Sequence, residues 1–179
     1  MVLKHNANSP PIVTVFQSML ARIRISTIQT GLVLFWATWL TLVTSTNLFD
    51  ALKQLGVLPT GFTWSSYNFE LVKETVGAHG VPTVIASLLF AGVIAWELLA
   101  SALFWRAWLA MRRGKRGTGD EVTQAFAVSL ALWAAFLIAT EVTVNYSTAA
   151  THKSTLIAQL VSLILIRAGS RGEEPTPER

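Results

Sequence analysis

GLVLFWATWLTLVT, Gly31–Thr44, contains no ionisable side chain and sets two tryptophans among aliphatic residues. It lies within a longer uncharged segment, since no Lys, Arg, Asp or Glu occurs from Ile25 to Phe49. A helix crossing roughly 30 Å of hydrocarbon needs about 20 such residues. Inside a bilayer, backbone N–H groups must find partners within the segment, and a helix supplies them. The segment therefore reads as a transmembrane helix over about residues 23–46, and the rest of the chain repeats the pattern.

A second apolar segment spans about 82–108, with Pro82 tolerated in its first turn and Glu97 inside it. A third spans about 122–146, after Asp120 and Glu121, and contains Glu141. The fourth is shorter: STLIAQLVSLILI, Ser154–Ile166, lies between Lys153 and Arg167. It reaches spanning length, about 149–168, if both bases extend their charged ends outward. An interfacial helix is the alternative there. Ser154, Thr155, Gln159 and Ser162 are then expected to face neighbouring helices. The fold class expected is an all-α membrane protein, with four spans over residues 22–168 and a partly helical outer loop at 47–81.

Composition agrees. Of 179 residues, 52% are hydrophobic and 13% charged, with mean hydropathy +0.49; about a quarter charged is ordinary for a soluble domain. These values exclude a disordered chain, a conventional water-soluble enzyme and a nucleic-acid-binding domain. Cysteine is absent, which removes disulfides, thiolate metal sites and cysteine nucleophiles. Serine, threonine and histidine occur without any strand–elbow–helix context, so no catalytic set is legible.

The bases sort by side. Lys4, Arg22 and Arg24 precede the first span; Arg106, Arg112, Arg113, Lys115 and Arg116 end the second and fill the next loop; Arg167, Arg171 and Arg179 follow the fourth. Lys53, Lys73 and Lys153 alone fall on the other side. The base-rich side stays cytoplasmic, so both termini are expected inside, across a bacterial inner membrane. Residues 1–21 read as an amphipathic or flexible lead-in, and not as a signal peptide. Residues 169–179 read as a disordered tail. The loop RRGKRGTGDE lacks the strand and lysine spacing of a nucleotide site, and its bases can attract anionic lipid.

In the outer connection, Asp50–Leu55 reads as a short helix ended by Gly56. SSYNFELVKETVG reads as a second, capped by Ser65 or Ser66 and ended by Gly77. Phe62, Trp64, Tyr67 and Phe69 suit a loop lying over the helix ends.

Two features of the spans invite function. Ala127, Ala131, Ala135 and Ala139 recur every four residues, a smooth ridge on which another helix can pack closely. Ala91 and Ala95 offer a shorter one. Glu97 and Glu141 are costly in hydrocarbon and require a partner or a proton. Their depths differ too much for a direct pair, and Asn145 is expected to share a polar patch with Glu141. His79 and His152, near the outer ends, are conceivable haem ligands, and the deeper Trp36, Trp39, Trp96 and Trp133 conceivable quinone or pigment contacts. No metal site is expected.

Asn47 and Asp50, Asn68 and Phe69 followed by Val72, and Ala95–Trp96–Glu97, with Glu141 late in the third span, form one further pattern. In it, over about residues 25–166, the chain resembles the bacterial predicted small integral membrane proteins grouped as domain of unknown function number 2165. The resemblance implies four helices and a shared polar arrangement, and implies no reaction. Lys73–Glu74 stand where that family carries a histidine, and the connection from Asp50 to Asn68 is longer. The function expected is that of a small accessory or scaffold subunit of a larger membrane complex, an energy-transducing one among the options. Its partners would be other membrane subunits and lipids, or further copies of itself, and not nucleic acid. An oligomeric ion or proton transporter, and a haem carrier or membrane enzyme, are the alternatives.

Overall fold

The uncharged first segment forms one helix, α1 (Ile25–Gln54), in a computed structural model that describes residues 25–114 and 118–171. The other helices are α2 (Asn68–Gly77), α3 (Thr83–Arg112), α4 (Gly119–Thr143) and α5 (Ala149–Arg171). There is no strand among the described residues. Four of the helices, all but α2, are long and apolar enough to cross a membrane; the chain is a multi-pass membrane protein. Residues 1–24, which include the lead-in expected over 1–21, residues 115–117 of the charged loop and residues 172–179 lie outside the described residues, while Gly169–Arg171, expected in the disordered tail, are the last residues of α5.

The four long helices close a ring. α1 lies against α3, α3 against α4, α4 against α5, and α5 returns to α1. Val33, Leu40, Phe104 and Phe126 fill the centre, with Phe104 and Phe126 edge to face at 4.9 Å. Ala37, Ala100, Ala107 and Ala125 are fully buried among them, which lets the backbones approach. Outward, Leu88, Leu98, Ile138, Val142 and Ile164 are each more than half exposed. A soluble protein rarely leaves so continuous an apolar surface open; lipid accepts it.

Since lipid is as apolar as leucine, polar bonds between helices add specificity that burial alone does not supply. Gln29 Nε2 donates to the Ile166 carbonyl at 2.7 Å, Trp36 Nε1 to Ser162 Oγ at 3.0 Å, and Gln159 Nε2 to Ser129 Oγ at 2.7 Å. Trp105 Nε1 donates to Thr41 Oγ1 at 2.9 Å. Gln159 and Ser162 thus face neighbouring helices as expected, Thr155 is half-buried, and Ser154 is exposed. At 23 residues, or about 34 Å, α5 is long and apolar enough for a full crossing. Lys153 is exposed, and Arg167 reaches Thr123 on α4.

Several boundaries differ from expectation: α3 runs on to Arg112, α4 starts already at Gly119 and α5 runs on to Arg171. The first helix does not stop near residue 46 and restart at Asp50. It runs unbroken to Gln54, with Asn47 bonded to Glu97 and Asp50 to Ser66 and Phe69, and the turn at Gly56, where φ is +71°, follows its end. α4 stops at Thr143, with Val144 left-handed at φ 51°, so Asn145 and Tyr146 lie beyond the helix. Neither Ser65 nor Ser66 is the cap residue of α2: Tyr67 holds that position, left-handed at φ 60°, with no side-chain cap of its own.

Candidate functional site

Beyond Gln54 the chain folds back along α1. Phe62 and Trp64 pack on Phe49 at 5.4 and 5.2 Å, and the Ser66 N–H reaches the Thr46 carbonyl at 3.1 Å. Lys53 pins the turn, lying 4.5 Å over the Tyr67 ring and donating to the Phe62 carbonyl at 3.0 Å. α2 therefore begins beside the last turns of α1, not above the helix ends. From there it runs along α3, with Phe69 edge-on to Phe90 at 5.7 Å.

A helix start buried against a bundle leaves N–H groups that water cannot reach. Asp50, 1% exposed, supplies the acceptor from a different helix: its Oδ2 takes the Phe69 N–H at 2.8 Å and the Ser66 hydroxyl at 3.3 Å. Ser66 Oγ in turn accepts the Asn68 N–H at 3.2 Å. The signal for this cap was the acid at Asp50, and its reach to residue 69 is a property of the folded-back loop.

One turn earlier on α1 lies the centre of the network. Asn47 Nδ2 is 2.8 Å from both Glu97 oxygens, and Asn47 Oδ1 accepts Asn68 Nδ2 at 2.8 Å. Glu97 is 2% exposed and stands 14 residues into α3, about 21 Å from its start. Its donors are amide N–H groups, not a cation. α1, α2 and α3 are thereby tied by one chain of amide and carboxylate groups. Asn47, Asp50, Asn68, Phe69 and Glu97 all belong to it or touch it, while Val72 is half-buried farther along α2.

The alanine ridges point elsewhere. Ala127, Ala131 and Ala139 are exposed and Ala135 half-buried, and Ala91 and Ala95 are exposed with Gly92 between them. The face of α4 that packs inside the chain carries Ala125, Phe126, Ser129, Leu132 and Trp133 instead. Trp96 bridges α3 and α4, its indole N–H on the Val128 carbonyl at 3.0 Å, so the two ridges run at similar heights.

Glu141 and Asn145 do not form a joint patch. Glu141 is exposed and accepts the Tyr146 hydroxyl at 3.2 Å, which holds that phenol above the ordinary range. Asn145 Nδ2 donates to Thr75 Oγ1 on α2 at 2.7 Å, because the left-handed turn at Val144 swings it off the helix line. Glu97 and Glu141 sit in different surroundings, one enclosed and one at the rim.

His79 and His152 are engaged separately. His79 Nε2 meets the Thr143 carbonyl at 3.1 Å, whereas the His152 ring stacks on Phe136 at 4.9 Å and lies 5.8 Å from Trp133. Their contacts on α4, at Thr143 and Phe136, fall two turns apart. Trp133 Nε1, His152 Nδ1 and Gln159 Oε1 are buried on the α4–α5 seam with no hydrogen-bond partner among the described residues. Among those residues no cluster of three or more His, Asp or Glu is placed to hold a metal ion.

No family model, curated protein or solved structure matches the chain.

Proposed function

We propose that this chain is a small accessory or scaffold subunit that docks into a larger assembly of the bacterial inner membrane, with both termini cytoplasmic. The observation that carries this reading is the outward placement of the small residues on α3 and α4. The bundle's own contacts use other alanines, chiefly Ala100, Ala107 and Ala125. An open small-residue face lets a foreign helix backbone approach closely, where van der Waals packing drives association in lipid.

The buried acid supports the same reading. Glu97 is held by Asn47 within an inter-helix tie, which suits fixing the outer helix more than conducting ions. The same convergence of Asn47, Asp50, Asn68, Phe69 and Glu97 supports likeness to the family of domain 2165, as a proposal about kinship.

The test is gentle purification of tagged chain from native membranes, followed by intact-complex mass and subunit identification. A fixed-stoichiometry hetero-assembly that Ala131→Leu dissolves, with the chain still folded, is the expected result. A monomer without partners would overturn the proposal. A symmetric homo-oligomer would favour transport instead.

A further inference from the structure

At the base-rich end a groove of about 470 Å³ is lined by Ser26, Thr27 and Leu34 of α1 and by Trp108, Met111 and Arg112 of α3. Its two ends differ chemically. The rim presents the hydroxyls of Ser26 and Thr27, neither bonded to any described residue, while the Thr30 hydroxyl is already donated to the Ser26 carbonyl at 2.8 Å. Arg112 lies 4.9 Å over the Trp108 ring and pairs with no carboxylate among the described residues. Stacking steadies the guanidinium plane while leaving its N–H groups free.

Leu34 stands eight residues farther along α1 than Ser26, about 12 Å along the helix axis, and with Met111 and the Trp108 ring it supplies the apolar part of the lining. A site whose rim donors have no partner among the described residues, next to an apolar wall, matches an amphipathic anion. A small soluble anion would use the rim and leave the apolar wall bare.

We propose that this groove seats one anionic phospholipid. The phosphate oxygens accept from Arg112 and from the Ser26 and Thr27 hydroxyls, and an acyl chain lies along Leu34, Met111 and the Trp108 ring. The site is independent of the small-residue faces and needs no partner subunit.

The test uses the full chain, purified in mild detergent and exchanged into nanodiscs of phosphatidylglycerol or phosphatidylcholine. Retained lipid is read by native mass spectrometry on release. Wild type is expected to keep phosphatidylglycerol in preference to phosphatidylcholine. Arg112→Gln lowers that retention about tenfold, the worth of a charge-assisted hydrogen bond. Arg113→Gln, next in the chain but outside the groove, keeps it. A double variant, Ser26→Ala with Thr27→Val, alters only the rim hydroxyls and lowers retention even if Arg112→Gln cannot be purified. Glycerol phosphate, which carries the head chemistry without a chain, should not displace the lipid.

Equal retention of the two lipids would overturn the proposal, as would equal loss in Arg112→Gln and Arg113→Gln. Displacement by glycerol phosphate would assign the rim to a soluble anion instead. Retention unchanged in every groove variant would overturn it too, since the lipid would then be held elsewhere on the protein.

Discussion

Asn47 holds the Glu97 carboxylate from the neighbouring helix, its amide nitrogen 2.8 Å from each oxygen. The same side chain accepts from Asn68, so the acid in the middle of α3 and the start of α2 share one partner. An enclosed carboxylate without a cation depends on such donors, and that dependence is measurable.

Asn47→Leu removes both links and leaves the buried Glu97 unsatisfied, at a cost of about 3 kcal/mol. The double variant Asn47→Leu with Glu97→Leu removes the acid as well and should recover much of the loss. Thermal unfolding in detergent reads both. Equal destabilisation of the single and double variants would separate Asn47 from Glu97.

Asp50→Ala should loosen α2 while α1, α3, α4 and α5 persist. The Phe69 N–H loses its acceptor, a loss of the order of 1 kcal/mol for a helix cap. Hydrogen exchange should accelerate over residues 68–77 and stay slow in the core around Phe104 and Phe126. Unchanged exchange in α2 would show that Phe90 and the other α3 contacts alone hold it.

Two alanines of α4, one turned inward and one outward, should respond differently. Ala125 is fully buried between helices, so Ala125→Leu overpacks the core and destabilises the isolated chain by roughly 1–3 kcal/mol. Ala131 faces outward, so Ala131→Leu should leave the isolated chain's melting unchanged. A matching loss in both would place Ala131 inside the bundle.

The absence of cysteine makes orientation readable with single introduced thiols. Lys153→Cys should react with a membrane-impermeant maleimide in spheroplasts, and Arg113→Cys only after permeabilisation. The reverse pattern would invert the topology proposed from the bases.

Tyr146 should keep its proton to higher pH than a free phenol, because its O–H is donated to Glu141, whose charge also opposes phenolate formation. Glu141→Gln should therefore move its ionisation to lower pH. Phenolate absorbance in a Tyr67→Phe background isolates the group, since the chain has two tyrosines. An unchanged titration would show that Glu141 does not govern it.

The four spans were written in the chain itself. Uncharged runs of bilayer length admit only helix in hydrocarbon, and Lys153 and Arg167 needed only to extend outward for the fourth to qualify. Gln159 and Ser162 were legible as inward-facing, being polar in an otherwise aliphatic run, but the same rule named Ser154, which is exposed. What no linear reading could supply was which partner each polar group meets. Asn47 lies 50 residues from Glu97 and 21 from Asn68, and their meeting depends on the loop after Gln54 folding back along α1. Helical period placed Ala127–Ala139 on one face, yet period does not tell inside from outside when lipid and protein interior are equally apolar. That choice was made by packing: Ala125 and Ser129 turn inward with Phe126, and the regular ridge is left facing out. The acids separated for the same reason. Glu97 was enclosed because three helices converge on it, and Glu141 stayed at the rim because α4 ends two residues later at Thr143.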